Sequence, residues 1–535
     1  MAERVERAVR PVVEAMAGYG PDGWTEGVLH ARAGRFGTSV TGGFARRGAS
    51  ARTSGVPNPY EELMALAEAL REERGWEPVS FELRVQASGA YRLVAFHGAI
   101  TRVTGTDGGF QVVLDPAYRL PQPGARQEPG TAGPAGDPDL AVARFRTYLE
   151  RRAAILGRPD ELPPPATPAE IEEAERHLGR RLPADLRALY ALADGDAVGF
   201  ESGYLFDGSS WLSLQRMVAE YSGWGAGERP WFTWELEWGA VVFDATPADT
   251  VRRCGGHPGW LRFATSEDGN YLAVDTAPAR AGHPGQIIRT GRDYDDGPHY
   301  IADSVTALLG HYLDLLDQGA YELEDDDYLS LLAPAPAPAR ERGPQQIIGD
   351  LPGEVPPTLQ AIHINDATGP VDLAPLRAAP GLRRLHLNRS VASDLTPVRD
   401  LPVESLRVGL ADGTLTALTA LTGHPHLSSL DLKTTAPVDV TPLSTVPNLR
   451  CLDLSEAETV DLTVVADLKD LRYLALTGRQ WATLMDADAI PRILRTLAAA
   501  RLADEDASMD DALAWAARLG LETGGAVRVS GGTGE

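Results

Sequence analysis

Apolar and polar positions change their spacing several times along this chain. Near the start, "SFELRVQ" places Phe81, Leu83 and Val85 on one face and Glu82 and Arg84 on the other, the period-two pattern of a half-buried strand. "YRLVAFHG" is a second alternating segment, and Pro59 to Arg74 has helical spacing. Residues 1–120 are therefore expected to form an α+β domain of unassigned role.

A helix is predicted over about Leu140 to Leu156, followed by "ATPAEIEEAERHLGRRLPADLRALYALADGD". There Thr167 and Glu170 form a capping box with Pro168 at the first helical position. Ile171, Ala174 and Leu178 share one face, and Gly179 ends the helix. Pro183 opens the next helix, Leu186, Leu189 and Tyr190 mark its buried side, and Gly195 stops it. Farther on, "WLRFATS" and "YLAVD" read as strands joined by a tight turn at Asp268, Gly269 and Asn270, residue types that tolerate positive φ. "QIIRT" reads as a further strand. The polar residues between these strands are turn chemistry. His257 and His283 each precede a proline, as exposed turn residues do, and no nucleophile with a base stands near Asp268 or Asp275.

The last third repeats with a period near 22 residues. Strand cores "LQAIHI", "LRRLHL", "VESLRV", "LSSLDL", "LRCLDL" and "LRYLAL" begin at Leu359, Leu382, Val403, Leu427, Leu449 and Leu471. The segments "VDLAPLRAAPGL", "SDLTPVRDLPVE", "VDVTPLSTVPNL" and "VDLTVVADLKDL" repeat between them. L-x-x-L-x-L sends three apolar side chains inward, each stabilising by about 1.5–3 kcal/mol when fully buried. One such unit cannot stand alone, whereas stacked units share a core. The residues between the leucines face outward. One column reads His363, His386, Arg407, Asp431, Asp453 and Ala475, and its neighbour Ala361, Arg384, Ser405, Ser429, Cys451 and Tyr473.

Two resemblances follow from these blocks. The helix pair, "GYLFDG", "WLSLQRM", the strand segment 259–293 and "IADSVTALLGHYLDLL" occur in order over about 140–320 and resemble the SUKH superfamily, which includes fungal Smi/Knr cell-wall regulators and many bacterial immunity proteins. The resemblance implies a bent antiparallel sheet with flanking helices and no catalytic residues. Residues 350–478 resemble the leucine-rich repeat family, with the usual asparagine replaced by Ala367, Ser390, Ala411, Thr435 and Ala457. The fold expected is thus multidomain α+β: a SUKH-type antiparallel sheet followed by a leucine-rich repeat solenoid of α/β type.

Composition then sets the boundaries. "PQPGARQEPGTAGPAGDPD" at 121–139 and the Pro-Ala run within 331–344 read as linkers. They divide the chain into 1–120, a SUKH-type domain at 140–330, repeats at 345–478, a helical C-terminal cap at 479–522 and a flexible tail at 523–535. A net charge of -25 argues against nucleic acid, which needs a basic stripe. No apolar run suggests a signal peptide or a membrane span, and Cys254 and Cys451 are the only cysteines, so a cytoplasmic location is expected. No cofactor motif occurs: "GWGAGE" lacks dinucleotide spacing, and the acidic "ELEDDDY" at 322–328 lacks calcium-loop spacing and reads as a solvated helix end.

The function expected from all this is non-enzymatic protein binding. The SUKH resemblance implies a bacterial immunity protein that occludes a toxin domain, and the acidic charge would suit a basic nuclease toxin. The alternative is a regulatory scaffold that recruits several protein partners; a weaker one is an enzyme with its site in the N-terminal domain. Candidate protein-binding residues are His363, Arg384, His386, Arg407, Asp431, Asp453 and Tyr473 on the repeats. Trp224, Trp231 and Trp234 join them from an aromatic-rich insertion that also holds Trp238.

Overall fold

Val5, Val9, Val12, Val13 and Met16 recur at helical spacing and form the buried side of α1 (Ala2–Tyr19). In the computed structural model the chain is described except at 1, 36, 49–52, 107, 121–123, 125–126, 198–203, 207, 225–239, 295, 325–327, 333–344, 411–416, 524 and 533–535. After α1 come β1 (Trp24–Gly34), β2 (Gly37–Arg46), β3 (Thr53–Ser54), α2 (Tyr60–Arg74), β4 (Val79–Gln86) and β5 (Ala90–His97). Phe81, Leu83 and Val85 of β4 are buried with α1 and α2, as their alternation predicts. Glu82 on the opposite face is buried as well, because that face is covered too. A hairpin of β6 (Val103–Thr106) and β7 (Gly109–Val113) follows.

The middle of the chain begins with α3 (Pro138–Leu156), α4 (Pro168–Leu178) and α5 (Ala184–Tyr190). Thr167 and Glu170 make both bonds of the capping box, and Gly179 closes α4 at φ 69°. Then come β8 (Ser210–Trp211), α6 (Leu214–Trp224), β9 (Trp260–Thr265), β10 (Asn270–Asp275), β11 (Gln286–Gly291), β12 (His299–Ala302) and α7 (Val305–Asp317). The five strands form an antiparallel sheet in the order β12-β11-β10-β9-β8. Leu261, Phe263, Leu272, Val274 and Ile287 face a core shared with α3, α4, α5 and α7.

Two features here depart from the sequence expectations. The described residues of "ELEDDDY" are not a helix end: they belong to β13 (Tyr321–Glu324) and β14 (Tyr328–Leu331), which pair antiparallel with Leu329 and Leu331 buried. Nor is 121–139 a free linker over its described residues. Gly124 N–H donates to Arg253 O, the buried Arg252 guanidinium donates to Gly124 O and Gln127 O, and Pro129 bridges to Ala279. A segment poor in apolar groups is fixed through its backbone instead. The Pro-Ala segment at 333–344 lies outside the described residues.

The repeats produce β15 (Gln345–Ile348), β16 (Ala361–Asn365), β17 (Arg384–Ala392), β18 (Ser405–Leu410), β19 (Ser429–Thr434), β20 (Cys451–Asp453) and β21 (Tyr473–Leu476). Strands β16 to β21 pair parallel, each with the next. Short 3-10 turns return the chain, four of them opened by an aspartate: Asp372, Asp394, Asp439 and Asp461 each accept a backbone N–H two residues ahead. Hydroxyls also tie neighbouring repeats together, since Ser390 Oγ accepts Ala367 N–H and Thr434 Oγ1 accepts Glu458 N–H.

The expected helical cap contains α8 (Gly478–Asp486), α9 (Ile490–Ile493) and α10 (Met509–Arg518), but also β22 (Ala499–Leu502), which extends the ladder. β7 then pairs antiparallel with β22, so the N-terminal hairpin completes a sheet ordered β15 to β22, β7, β6. The tail expected to be flexible forms β23 (Val527–Gly532), which pairs with β5 and completes the sheet β23-β5-β4-β1-β2-β3. Its short Val-Arg-Val alternation is a strand signal of only three residues. Residues 1–117 and 346–535 consequently make one compact unit, and 118–231 with 240–345 another, in place of separate first and third domains.

Buried Glu82 secures the first unit from within. Its Oε1 accepts the Met509 N–H at the start of α10, and both its oxygens accept from Arg84.

Candidate functional site

Strict alternation along β16 to β21 sends Ile362, Ile364, Leu385, Leu387, Leu406, Leu430, Leu452 and Leu474 into the core. The intervening residues therefore share the opposite face, and parallel register aligns them: His363, His386, Arg407, Asp431, Asp453 and Ala475 sit on successive strands. The row continues to Arg501 and Gln111, which sequence reasoning missed. Nothing in the repeat period announces a seventh parallel strand in "AARL" or an antiparallel partner some 390 residues earlier.

The row is bonded side chain to side chain. The rings of His363 and His386 stack with centroids 4.7 Å apart and planes 13° from parallel. His386 Nε2 meets Ser405 Oγ at 2.9 Å, and Gln346 Nε2 donates to His363 Nδ1 at 3.2 Å. Asn365 donates to Gln346, Asn388 donates to Asn365 at 2.9 Å, and Arg407 donates to Asn388. Arg407 Nε donates to Asp431 Oδ2 at 2.6 Å. Asp453 Oδ1 accepts from the N–H and hydroxyl of Ser455.

Burial first, and then the guanidinium of Arg407, pushes His386 down to about 2. Burial and then Arg384 push His363 down to about 4, so both rings are neutral at pH 7 and the arginines alone carry the positive charge. Arg407 and Asp431 join the basic and acidic ends of the row by pairing with each other. Burial, and then the neighbouring Asp453 carboxylate, raises Asp431.

The candidates divide by depth. Tyr473 (1% exposed) and His386 (5%) are buried, whereas His363, Arg384, Arg407, Asp431 and Asp453 are half-buried. Trp224 ends α6, and its side chain, with Trp231, Trp234 and Trp238, lies outside the described residues.

The middle unit uses its polar groups differently. Asp268 Oδ1 accepts the Asn270 N–H at 2.9 Å, and Asn270 Oδ1 accepts the Asp293 N–H at 3.0 Å, which closes the predicted turn between β9 and β10. Asp275 is fully buried, bonded by Ala277 N–H and Gln286 Nε2, and raised to about 7 chiefly by that burial. His257 is half-buried, not exposed: its Nδ1 accepts the Gly259 N–H, and burial lowers it to about 4. Among the described residues no group of three or more His, Cys, Asp or Glu could hold a metal ion, and no helix is long and apolar enough to cross a membrane.

Residues 165–311 match the SMI1 / KNR4 family (SUKH-1). Curated relatives include the KNR4/SMI1 homolog 2 of Debaryomyces hansenii, 27% identical over 34% of this chain and 36% of that protein. The glucan synthesis regulatory protein of Neurospora crassa is 27% identical over 31% and 36%. The cell wall biosynthesis/cell cycle regulator smi1 of Schizosaccharomyces pombe is 29% identical over 30% and 33%. The chain thus spans about a third of the length of the curated relatives it matches. A solved internalin C2 from Listeria monocytogenes aligns over 23% of this chain and 53% of its own at 24% identity, with a TM-score of 0.19 that carries no argument. These relatives are fungal proteins, and two of the three are named as regulators. They overturn the expectation of a bacterial immunity protein that neutralises a nuclease toxin.

Proposed function

We propose that this chain is a non-enzymatic regulator that acts by binding proteins, with the SUKH-1 domain at 165–311 and the parallel ladder as its two recognition modules. The observation that carries the proposal is the family match, together with relatives whose names describe regulators. A spacing of 21 to 24 residues between strand cores and the in-register pairing support reading the ladder as leucine-rich repeats.

The outward row supplies the chemistry of recognition. Arg384 and Arg407 offer planar donors to acidic or aromatic groups, while Asp453, beside the Arg407–Asp431 pair, offers a carboxylate to a basic one. Buried His386 and Tyr473 hold the floor of that surface and do not reach a partner themselves. Strands about 4.8 Å apart set the spacing at which a partner's side chains are met.

Affinity capture from the source cell tests this with two chains, wild type and the double variant Asp431→Arg/Asp453→Arg. The variant should lose at least one partner that wild type retains, by about 2–5 kcal/mol in binding, with an unchanged circular dichroism spectrum. Identical partner sets and affinities would remove the ladder from the proposal and leave the SUKH-1 domain as the recognition module.

A further inference from the structure

Strand β23 is held by its unit in the way a bound peptide is held. It pairs antiparallel along its whole length, from Val527 opposite Ala95 to Gly532 opposite Ala90. Edge pairing of this kind supplies affinity, and alternate side chains supply selectivity. Val527 and Val529 reach the core formed with α1 and α2, beside Leu93 and Ala95. Arg528, on the other face, donates to Asp510 Oδ1 through Nε at 2.9 Å and Nη2 at 2.6 Å. Arg92 of β5 pairs with the second oxygen of Asp510, so this carboxylate is positioned by the acceptor before the strand arrives. Gly531 lies against Tyr91, whose hydroxyl would stand 2.8 Å from any Cβ added there.

These contacts define a pattern: an arginine between two β-branched residues, then glycine two positions on. Burial contributes little by comparison. Of the six residues only Val529 is buried, and the Arg528 side chain is 53% exposed. A strand that buries one side chain depends on its edge bonds and its charge pair, which another polypeptide with the same pattern can supply equally well.

We infer that the β5 edge, with Asp510 and Tyr91, is an acceptor site for an extended protein segment of this pattern, and that β23 occupies it in competition with a partner's strand. The site is independent of the outward row on the ladder, and its test does not depend on that row.

The test uses a chain in which residues 522–525 are replaced by a protease recognition sequence. It is folded intact and then cut, which leaves β23 as a non-covalent strand. Fluorescent peptide AVRVSGG is added and its anisotropy followed, with circular dichroism on the same sample. The cut chain should bind it saturably at one site, and the uncut chain about tenfold more weakly because its own strand fills the edge. Peptides carrying Arg528→Glu or Gly531→Val should also bind about tenfold more weakly. Absence of binding by the cut chain, equal binding of the three peptides, or loss of folded structure when β23 departs would each overturn the assignment.

Discussion

The middle unit and the ladder bond their polar groups in contrasting ways. In the unit of 118–231 and 240–345, each of four buried carboxylates joins a backbone N–H to a nearby side chain: Asp185 takes Thr306 N–H and Oγ1, Asp196 takes Leu205 N–H and Ser210 Oγ, Glu175 takes Leu182 N–H and Arg187, and Asp275 takes Ala277 N–H and Gln286 Nε2. Each such bond fixes one loop or helix end. Along the ladder the bonds run between side chains on neighbouring strands, from Gln346 through Asn365, Asn388 and Arg407 to Asp431. Groups aligned in that way keep further hydrogen-bonding capacity on a common face. The contrast leaves loop and helix-end bonding in the middle unit and an aligned polar face on the ladder, the face proposed above for recognition.

The largest effect is expected at Glu82, a side chain-linked carboxylate that also caps a helix. Glu82→Ala leaves half-buried Arg84 without its main counter-charge and the Met509 N–H without its acceptor, and should lower stability by about 3–5 kcal/mol in a denaturant titration. Hydrogen exchange should then quicken in β4 and in α10 together, since both belong to one unit. In the middle unit, Asn270→Leu abandons the bonds to Asp268 and Asp293 and should cost about 1–3 kcal/mol, with faster exchange confined to β9, β10 and their neighbours.

Acidification separates the units by sign. His386 is neutral when folded and titrates at its ordinary 6.5 when unfolded, so its contribution is present above 6.5 and is lost as pH falls towards about 2. Asp275 is the opposite case: its contribution is present below 3.8 and is lost as pH rises through about 7. Between pH 4 and 6.5 the two slopes oppose each other, each at most about 1.4 kcal/mol per pH unit. Exchange measured unit by unit should show His386→Gln flattening the first slope and Asp275→Asn the second. The smallest effect belongs to the exposed Arg389–Asp366 pair, where Arg389→Ala should leave the denaturant midpoint essentially unchanged.

What was legible in the sequence follows the same division. Local signals read directly onto the structure: Thr167 and Glu170 cap α4, Gly179 ends it, and Asp268 to Asn270 turn β9 into β10. The repeat spacing placed β16 to β21 and aligned His363 to Asp453, because a fixed period carries its own register. Long-range pairing was not legible. Neither β7 with β22 nor β23 with β5 has a local signature, and they join residues about 390 to 440 positions apart. The depth of Tyr473 and His386, and the pairing of Arg407 with Asp431, were missed for a related reason. A column of outward positions states direction and says nothing of what surrounds each side chain.

The central claim is that the ladder's outward row recognises a protein partner. Amide hydrogen exchange on the captured complex, compared with the free chain, tests it most directly. Protection on binding should concentrate in peptides spanning 384–410 and 427–455 and be absent from the same peptides of the Asp431→Arg/Asp453→Arg variant. Protection confined to 165–311, with the ladder peptides unchanged, would contradict the claim.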